Sequence, residues 1–146
     1  MGKRIALVVA LGLVAWGLIL VPAWAETREF LIVTNEIKWK AKPGEAPVGD
    51  RDQGSKKVIE RYTFEPGFLV VNKGDRVVLR IHDIKGSKHI VEVPAFNTGE
   101  TQILRGQEKT VSFVADKVGV FEFKCNNHKD ATKEGPMVGY IYVMPK

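Results

Sequence analysis

The stretch Phe121-Glu-Phe-Lys-Cys125-Asn-Asn-His128 contains the clearest strand pattern of the chain and its only cysteine. Apolar residues alternate with charged ones up to Cys125, and side chains two positions apart point to the same face of a β-strand. Cys125 therefore shares an apolar face with Phe121 and Phe123. The pattern predicts a strand over residues 120–124, whose end directs the cysteine toward a hydrophobic core.

Period-two alternation recurs through the chain after residue 25, and helical periodicity is almost absent. Further strands are predicted over residues 29–39, 58–64, 68–71, 77–82, 89–93, 110–114 and 138–143. A short helical turn fits between Pro94 and Thr101. Residues 41–57 hold two prolines and three glycines, which predicts a polar surface loop. Many short strands without a long helix are typical of an all-β sandwich or barrel.

The first 25 residues have the features of a secretory signal peptide. Lys3 and Arg4 precede an apolar run over residues 5–20, and Ala23-Trp-Ala25 forms a cleavage site of the Ala-x-Ala kind. We predict cleavage after Ala25, a mature domain over residues 26–146, and an exported location, periplasmic or otherwise. An uncleaved membrane anchor is the alternative, because residues 5–25 are nearly long enough to span a bilayer. Contact with a membrane is expected only in that case.

A single cysteine in an exported protein needs an explanation, because cysteines outside the cytoplasm usually pair as disulfides. An inert buried thiol, an intermolecular bridge and a metal ligand are the possibilities. His128 follows Cys125 by three positions, His89 falls on the apolar face of its strand, and Met137 is in register with the apolar face of the last strand. A thiolate, two imidazoles and a thioether are the ligands of a mononuclear electron-transfer copper site, with the methionine as a weak axial ligand.

Each candidate ligand also has a plainer interpretation. Cys125 can be an inert core residue, since cysteine is among the most buried residue types. His128 can be an ordinary loop histidine, and Met137 can fill a gap in the core. Glu134 or a water molecule could occupy the fourth position in place of Met137. His82 falls on the polar face of its strand and is interpreted as a surface residue.

The net charge of +5 comes from 22 lysines and arginines against 17 acidic residues. The basic residues are scattered and accompany no nucleic-acid recognition motif, so no nucleic-acid partner is expected. The sequence contains no glycine-rich phosphate loop, no Gly-x-Ser-x-Gly and no His-Glu-x-x-His. We therefore do not expect an enzyme.

Three segments resemble the cupredoxin family of copper proteins. They are the strand and Lys-Gly-Asp turn that end at Asp75, the segment Ser-Lys-His89-Ile-Val, and Cys125-Asn-Asn-His128 followed by Met137-Val-Gly. The resemblance runs over about residues 64–143 and is to small type 1 blue copper proteins of the plastocyanin and pseudoazurin kind. It implies a Greek-key β-sandwich or barrel and single-electron transfer between redox partner proteins. It also implies one mononuclear copper ion, with His89, Cys125, His128 and Met137 as ligands.

Further comparisons within this family leave the copper subtype open. Residues 129–136 form a longer gap before Met137 than small blue copper proteins have. The chain is also similar to nitrosocyanin, a red copper protein with a carboxylate where this chain has His89. A third similarity is to the cupredoxin domains of oxidase subunit II, whose dinuclear centre needs a second cysteine where this chain has Lys129.

The expected function is therefore that of an exported mononuclear copper protein that carries single electrons through Cu(II) and Cu(I). A copper-binding protein that delivers the ion without redox turnover is one alternative. A red copper protein with an open coordination position is another. A metal-free sandwich that serves as an interaction module is the third.

Overall fold

The computed structural model describes residues 25–45, 48–50, 54–56 and 58–146. The predicted signal peptide lies outside the described residues, apart from Ala25. Within the described part, the helical elements are two 3-10 turns, Pro94–Phe96 and Ala131–Lys133. The first of them confirms the predicted helical turn. No helix in this part of the chain is long and apolar enough to cross a membrane.

Most of the described chain forms β-strands. In chain order they are β1 Thr27–Lys40, β2 Val48–Asp50, β3 Gly54–Lys56, β4 Val58–Glu65, β5 Phe68–Asn72, β6 Arg76–His82, β7 Lys88–Glu92, β8 Thr101–Leu104, β9 Glu108–Val114, β10 Gly119–Cys125 and β11 Val138–Met144. Eight of them, all except β2, β3 and β8, confirm the predicted strands to within about two residues at each end, which is the usual uncertainty of strand boundaries.

The three remaining strands were not predicted. Among the four residues of β8, only Ile103 is buried, so the strand has little alternation to reveal it. The strands β2 and β3 pair with each other as a small antiparallel hairpin inside the predicted loop over residues 41–57. Three-residue strands are too short for a periodic pattern, and the loop prediction was wrong to that extent.

The strands form two sheets that confirm the predicted β-sandwich. One sheet has the order β4-β1-β6-β9, and the other has the order β5-β11-β10-β7-β8. Two pairs, β1 with β6 and β5 with β11, are parallel, whereas the other pairs in these sheets are antiparallel. Parallel neighbours need a crossover connection, so the chain passes between sheets rather than forming simple hairpins.

The core lies between the two sheets, where one face of each strand is apolar. In β6, for example, Val77, Leu79 and Ile81 are fully buried, whereas Arg76 and Arg80 are exposed. Burying one such aliphatic side chain stabilises the fold by roughly 1.5–3 kcal/mol. The other fully buried apolar residues are Ile32, Val91, Val93, Ile103, Ala115, Phe123, Ile141 and Val143.

The candidate ligands are placed at one end of this sandwich. Strand β10 ends at Cys125, which is paired with Val91 of the antiparallel strand β7. His89 lies two positions before Val91, so its side chain projects from the same buried face. The pairing of β7 with β10 therefore places Cys125 and His89 near each other without any contribution from a loop.

Candidate metal centre

His89, Cys125 and His128 form one buried cluster. The Sγ atom of Cys125 lies 3.6 Å from Nδ1 of His89 and 3.5 Å from Nδ1 of His128. All three potential ligand atoms lie within 4.8 Å of one another. The side chains are 0%, 2% and 9% exposed for His89, Cys125 and His128. The three equatorial candidates from the sequence are thus brought together.

These separations fit a small first-row transition-metal ion. Nitrogen and sulfur ligands lie about 2.0–2.3 Å from such an ion, so neighbouring ligands in trigonal or tetrahedral arrangement are about 3.5–3.7 Å apart. The two sulfur–nitrogen distances of 3.5 and 3.6 Å have this length. One soft thiolate and two imidazoles are also the equatorial donor set of an electron-transfer copper site.

The backbone fixes which nitrogen of His89 can bind a metal. Its Nε2 atom lies 2.6 Å from the carbonyl oxygen of Lys85. A carbonyl oxygen can only accept, so Nε2 carries the proton and Nδ1 keeps a lone pair that points toward Cys125. A hydrogen bond of this kind is the usual way in which a metal-ligating histidine is oriented.

Gly86 makes room for this histidine. A Cβ atom at position 86 would lie 2.5 Å from Nε2 of His89, and the glycine has φ of +96°. Both the close approach and the positive φ require a residue without a side chain. The turn before β7 is therefore built around the His89 ring.

Asn127 connects the turn that follows Cys125 to strand β7. Its side-chain oxygen accepts a hydrogen bond from the backbone N–H of Ile90 at 2.9 Å, and its side-chain nitrogen donates to the carbonyl of Lys88 at 2.8 Å. The Cys125 thiol also donates to this oxygen at 3.0 Å. These bonds hold the two ligand-bearing segments at a fixed separation, a role that the sequence alone did not indicate.

Tyr62 of β4 covers both histidine rings. Its ring centroid lies 4.6 Å from that of His128 and 5.4 Å from that of His89, the latter in an edge-on arrangement. Aromatic pairs at such distances stabilise each other beyond the area they bury. Nothing in the sequence pattern indicated this contact, because Tyr62 is one of two aromatic residues of β4 and carries no metal-binding atom of the usual kind.

Met137 is buried and is bonded to both sides of the cluster through its backbone. Its side chain is 1% exposed. Its N–H donates to the carbonyl of His128 at 2.9 Å, and its own carbonyl accepts from the N–H of Cys125 at 2.9 Å. Glu134, the other candidate for the fourth position, is exposed and has a left-handed backbone with φ of +55°. Burial favours Met137 over Glu134.

Residues 129–136 leave the site as a polar excursion on the surface. The Asp130 side chain accepts from the N–H of Thr132 at 2.9 Å and caps the short turn Ala131–Lys133. The excursion returns at Gly135, where a Cβ atom would lie 2.1 Å from the carbonyl oxygen of His128. This close approach brings the chain back beside the cluster in spite of the long gap.

Burial favours the neutral forms of Cys125 and His128. Burial raises the pKa of the Cys125 thiol above its ordinary value. Burial and the neighbouring His89 lower the pKa of His128 to about 4. The histidine is then a neutral donor near neutral pH, and the thiol loses its proton when a metal binds, so metal binding should release a proton.

A cavity of about 330 Å³ lies beside the cluster. Cys125, His128 and Met137 contribute to its wall, together with the exposed residues Lys129 and Tyr140. The cavity therefore lies between the cluster and the surface. His82 is not part of the cluster, because it lies on the opposite face of β6 from the buried residue Ile81.

The two-sheet architecture is similar to that of solved copper proteins. The blue copper oxidase from Nitrosomonas europaea has a TM-score of 0.62 and 19% identity, and the match covers 83% of this chain and 40% of that protein. The copper nitrite reductase from Nitrosomonas europaea has a TM-score of 0.60 and 21% identity, over 83% of this chain and 42% of that one. The copper-containing nitrite reductase from Thermus scotoductus has a TM-score of 0.59 and 25% identity, over 82% and 28%.

The chain has the cupredoxin fold. Its buried His/Cys/His cluster fits a cupredoxin family and supports a copper cofactor. The chain spans less than half the length of each of these three copper proteins. No protein-family model matches the chain, and no curated protein matches it.

Proposed function

We propose that this cupredoxin domain holds one copper ion and transfers single electrons by cycling between Cu(II) and Cu(I). The observation that carries the proposal is the buried cluster of His89, Cys125 and His128, whose sulfur–nitrogen distances are 3.5 and 3.6 Å. In the proposal these three residues would hold the ion, and the Met137 thioether would supply a fourth, weaker donor. The domain would be an electron carrier rather than an enzyme.

The donor set suits a metal that changes oxidation state. Thiolate and thioether sulfur favour Cu(I), whereas imidazole accepts both states. His89 is carried by β7 and Cys125 by the end of β10, whereas His128 lies in the turn after β10 and Met137 directly precedes β11. Backbone hydrogen bonds join His128 to Cys125 and Met137 to His128. A ligand frame that is fixed in this way changes little between the two oxidation states, which keeps electron transfer fast.

Electrons would enter and leave at the His128 end of the site. His128 is the most exposed of the three clustered residues. Its ring would therefore be the route between the metal and a docked protein, and Tyr62 contacts the same ring. The donor and acceptor would be redox partner proteins. Export after cleavage of residues 1–25 is part of the same proposal and rests on the sequence pattern alone.

A red copper site with an open coordination position is a second candidate. The cavity of about 330 Å³ beside Cys125, His128 and Met137 favours it, because a small molecule could reach the metal from that side. A site closed by Met137 and a site with an open coordination position should respond differently to added azide. Only the open site should change its spectrum at millimolar azide.

The experiment that tests electron transfer is voltammetry of the copper-loaded mature domain, residues 26–146, with the copper content measured on the same sample. A carrier should bind one copper ion per chain and give a reversible one-electron wave. A copper-delivery protein should instead lose Cu(I) to a competing chelator on reduction and give no reversible wave. The absence of copper binding would leave only the metal-free interaction module.

A further inference from the structure

Asp83 is a fully buried acidic residue next to the proposed copper site. It follows the last residue of β6, and its side chain is 0% exposed. Its Oδ1 atom lies 3.6 Å from Nε2 of His89. Within the described residues, its Oδ2 atom is buried and has no hydrogen-bond partner. No pattern in the sequence pointed to this residue.

A buried carboxylate oxygen without a partner destabilises a fold unless something compensates for it. The only ion-pair contact that the described residues give Asp83 is the one with His89. His89 already donates its Nε2 proton to Lys85, so it offers the carboxylate little compensation. A positive metal ion on the Nδ1 side of the same ring would provide the missing charge.

Thr34 holds the Asp83 carboxylate in place. Its hydroxyl lies 2.9 Å from Oδ1 of Asp83 and 2.9 Å from the carbonyl of Lys85, and it has one proton to donate. That carbonyl already accepts the His89 proton, so Asp83 is the better acceptor for the hydroxyl. The same hydroxyl oxygen accepts from the N–H groups of Ile84 and Lys85 at 3.1 and 3.0 Å.

The backbone of Asp83 is fixed as well. Its N–H donates to the carbonyl of Gln107 at 2.9 Å, and its carbonyl accepts from the N–H of Gly106 at 2.7 Å. Asp83 is therefore held by two neighbouring segments: the 106–107 turn fixes its backbone, and Thr34 of β1 fixes its carboxylate. A group held this firmly at 3.6 Å from a ligand ring acts on that ligand as a fixed charge rather than a mobile one.

We propose that Asp83 is a positioning residue that acts on the copper site through His89 and favours the oxidised copper ion. The inference rests on the proposed copper function. A negative charge behind the ligand ring stabilises Cu(II) more than Cu(I), since the ion carries one more positive charge in the oxidised state. Asp83 thereby lowers the reduction potential of the site. Outer-shell partners of metal-ligating histidines typically change metal affinity by about 10- to 100-fold.

The test compares Asp83→Asn with Asp75→Asn. The two aspartates flank the two ends of β6, a strand of seven residues and thus about 23 Å long. Asp75 is 1% exposed, but its carboxylate accepts from the N–H of Asn72 at 3.0 Å and lies 3.5 Å from the Arg28 guanidinium. Both substitutions remove one negative charge from a buried position. Asp83 lies close to the site, and Asp75 lies far from it.

We expect Asp83→Asn to raise the reduction potential of the copper-loaded protein by about 59 mV, a tenfold shift of the one-electron equilibrium toward Cu(I). Asp75→Asn should leave it unchanged. Equal potentials in the wild type and Asp83→Asn would overturn the inference, as would equal shifts in the two variants. If the wild-type protein forms no copper site with a thiolate charge-transfer band, the proposed function itself has failed. That result differs from the failure of the inference about Asp83, in which the band is present but the potential does not respond to Asp83→Asn.

The stability of the metal-free protein gives a second readout. Because Asp83→Asn removes an uncompensated buried charge, the metal-free variant should unfold at the same urea concentration as the wild type or a higher one. Asp75→Asn should lower that midpoint, since it breaks a satisfied network. The increase in midpoint on adding Cu(II) should be smaller in Asp83→Asn than in the wild type. An Asp83→Asn variant that fails to fold without copper would show a purely structural role and would overturn the inference.

Discussion

The backbone N–H of Met137 donates to the carbonyl oxygen of His128 at 2.9 Å, although residues 129–136 separate them. The intervening segment closes on itself, because the N–H of Gly135 donates to the carbonyl of Asp130 at 2.8 Å. The insertion therefore adds surface without moving the start of β11 away from the cluster. Lengthening a loop is entropically inexpensive, so such an excursion is compatible with an intact site.

This geometry gives Met137 a testable role. We expect Met137→Leu to raise the reduction potential, because it removes a weak thioether donor while the three equatorial ligands remain. A tenfold gain in preference for Cu(I) corresponds to about 59 mV. Met144→Leu is the control, because Met144 ends β11, the strand that Met137 directly precedes, and it should leave the potential unchanged. An unchanged potential and spectrum in Met137→Leu would mean that the methionine only fills the core.

His89 and His82 are expected to differ sharply. The His89→Ala variant removes a proposed ligand. Its copper affinity should therefore fall by more than the roughly 10- to 100-fold loss that outer-shell substitutions cause. The His82→Ala variant should bind copper as the wild type does, because His82 lies on the opposite face of β6 from the core. Competition with a copper chelator measures both affinities. Equal losses in the two variants would show that the cluster does not bind the metal as proposed.

Alternation in the sequence was sufficient to predict the inward faces of the ligand strands. His89 and Cys125 are both buried as the period-two pattern predicted, and Met137 is buried at the entry to β11. The family resemblance supplied the ligand set, but the sequence did not reveal the support around it. Thr34 and Asp83 are 49 positions apart, and Tyr62 reaches the cluster from the other sheet. Such contacts depend on how the two sheets pack, which local periodicity does not encode.

Gly86 is expected to be essential for the orientation of His89. In the Gly86→Ala variant, the new Cβ would lie 2.5 Å from Nε2 of His89, so copper affinity should fall by at least about tenfold, as for a lost outer-shell contact. Gly99→Ala is a matched control, since Gly99 also has positive φ, of +71°, but has open space around it. Backbone strain alone should cost each variant about 1–2 kcal/mol of unfolding free energy, and Gly86→Ala should lose more because of its clash with His89. Copper binding that is equally retained in both would contradict the proposed packing around His89.

The metal-free protein should lose stability in mild acid because of His128. Its pKa is about 4 in the folded state and about 6.5 when unfolded, so the unfolded chain binds more protons between these values. The stabilisation is complete above pH 6.5 and is lost as the pH falls toward 4, by at most about 3 kcal/mol. Urea unfolding of the wild type and of His128→Gln across this range measures the effect. If the His128 ring, assigned by comparison with His128→Gln, titrates near pH 6.5 in NMR spectra of the folded protein, the burial argument is contradicted.

The visible absorption and electron paramagnetic resonance spectra of the copper-loaded protein test the central claim most directly. We predict one copper ion per chain, an intense thiolate-to-copper charge-transfer band and a narrow copper hyperfine splitting. Cys125→Ser should remain a folded β protein but lose the band, because a hydroxyl does not replace the soft thiolate. A red species with ordinary splitting would assign the open-site alternative. No charge-transfer band in the wild type, or a band that persists in Cys125→Ser, would contradict the assignment of Cys125 as a copper ligand.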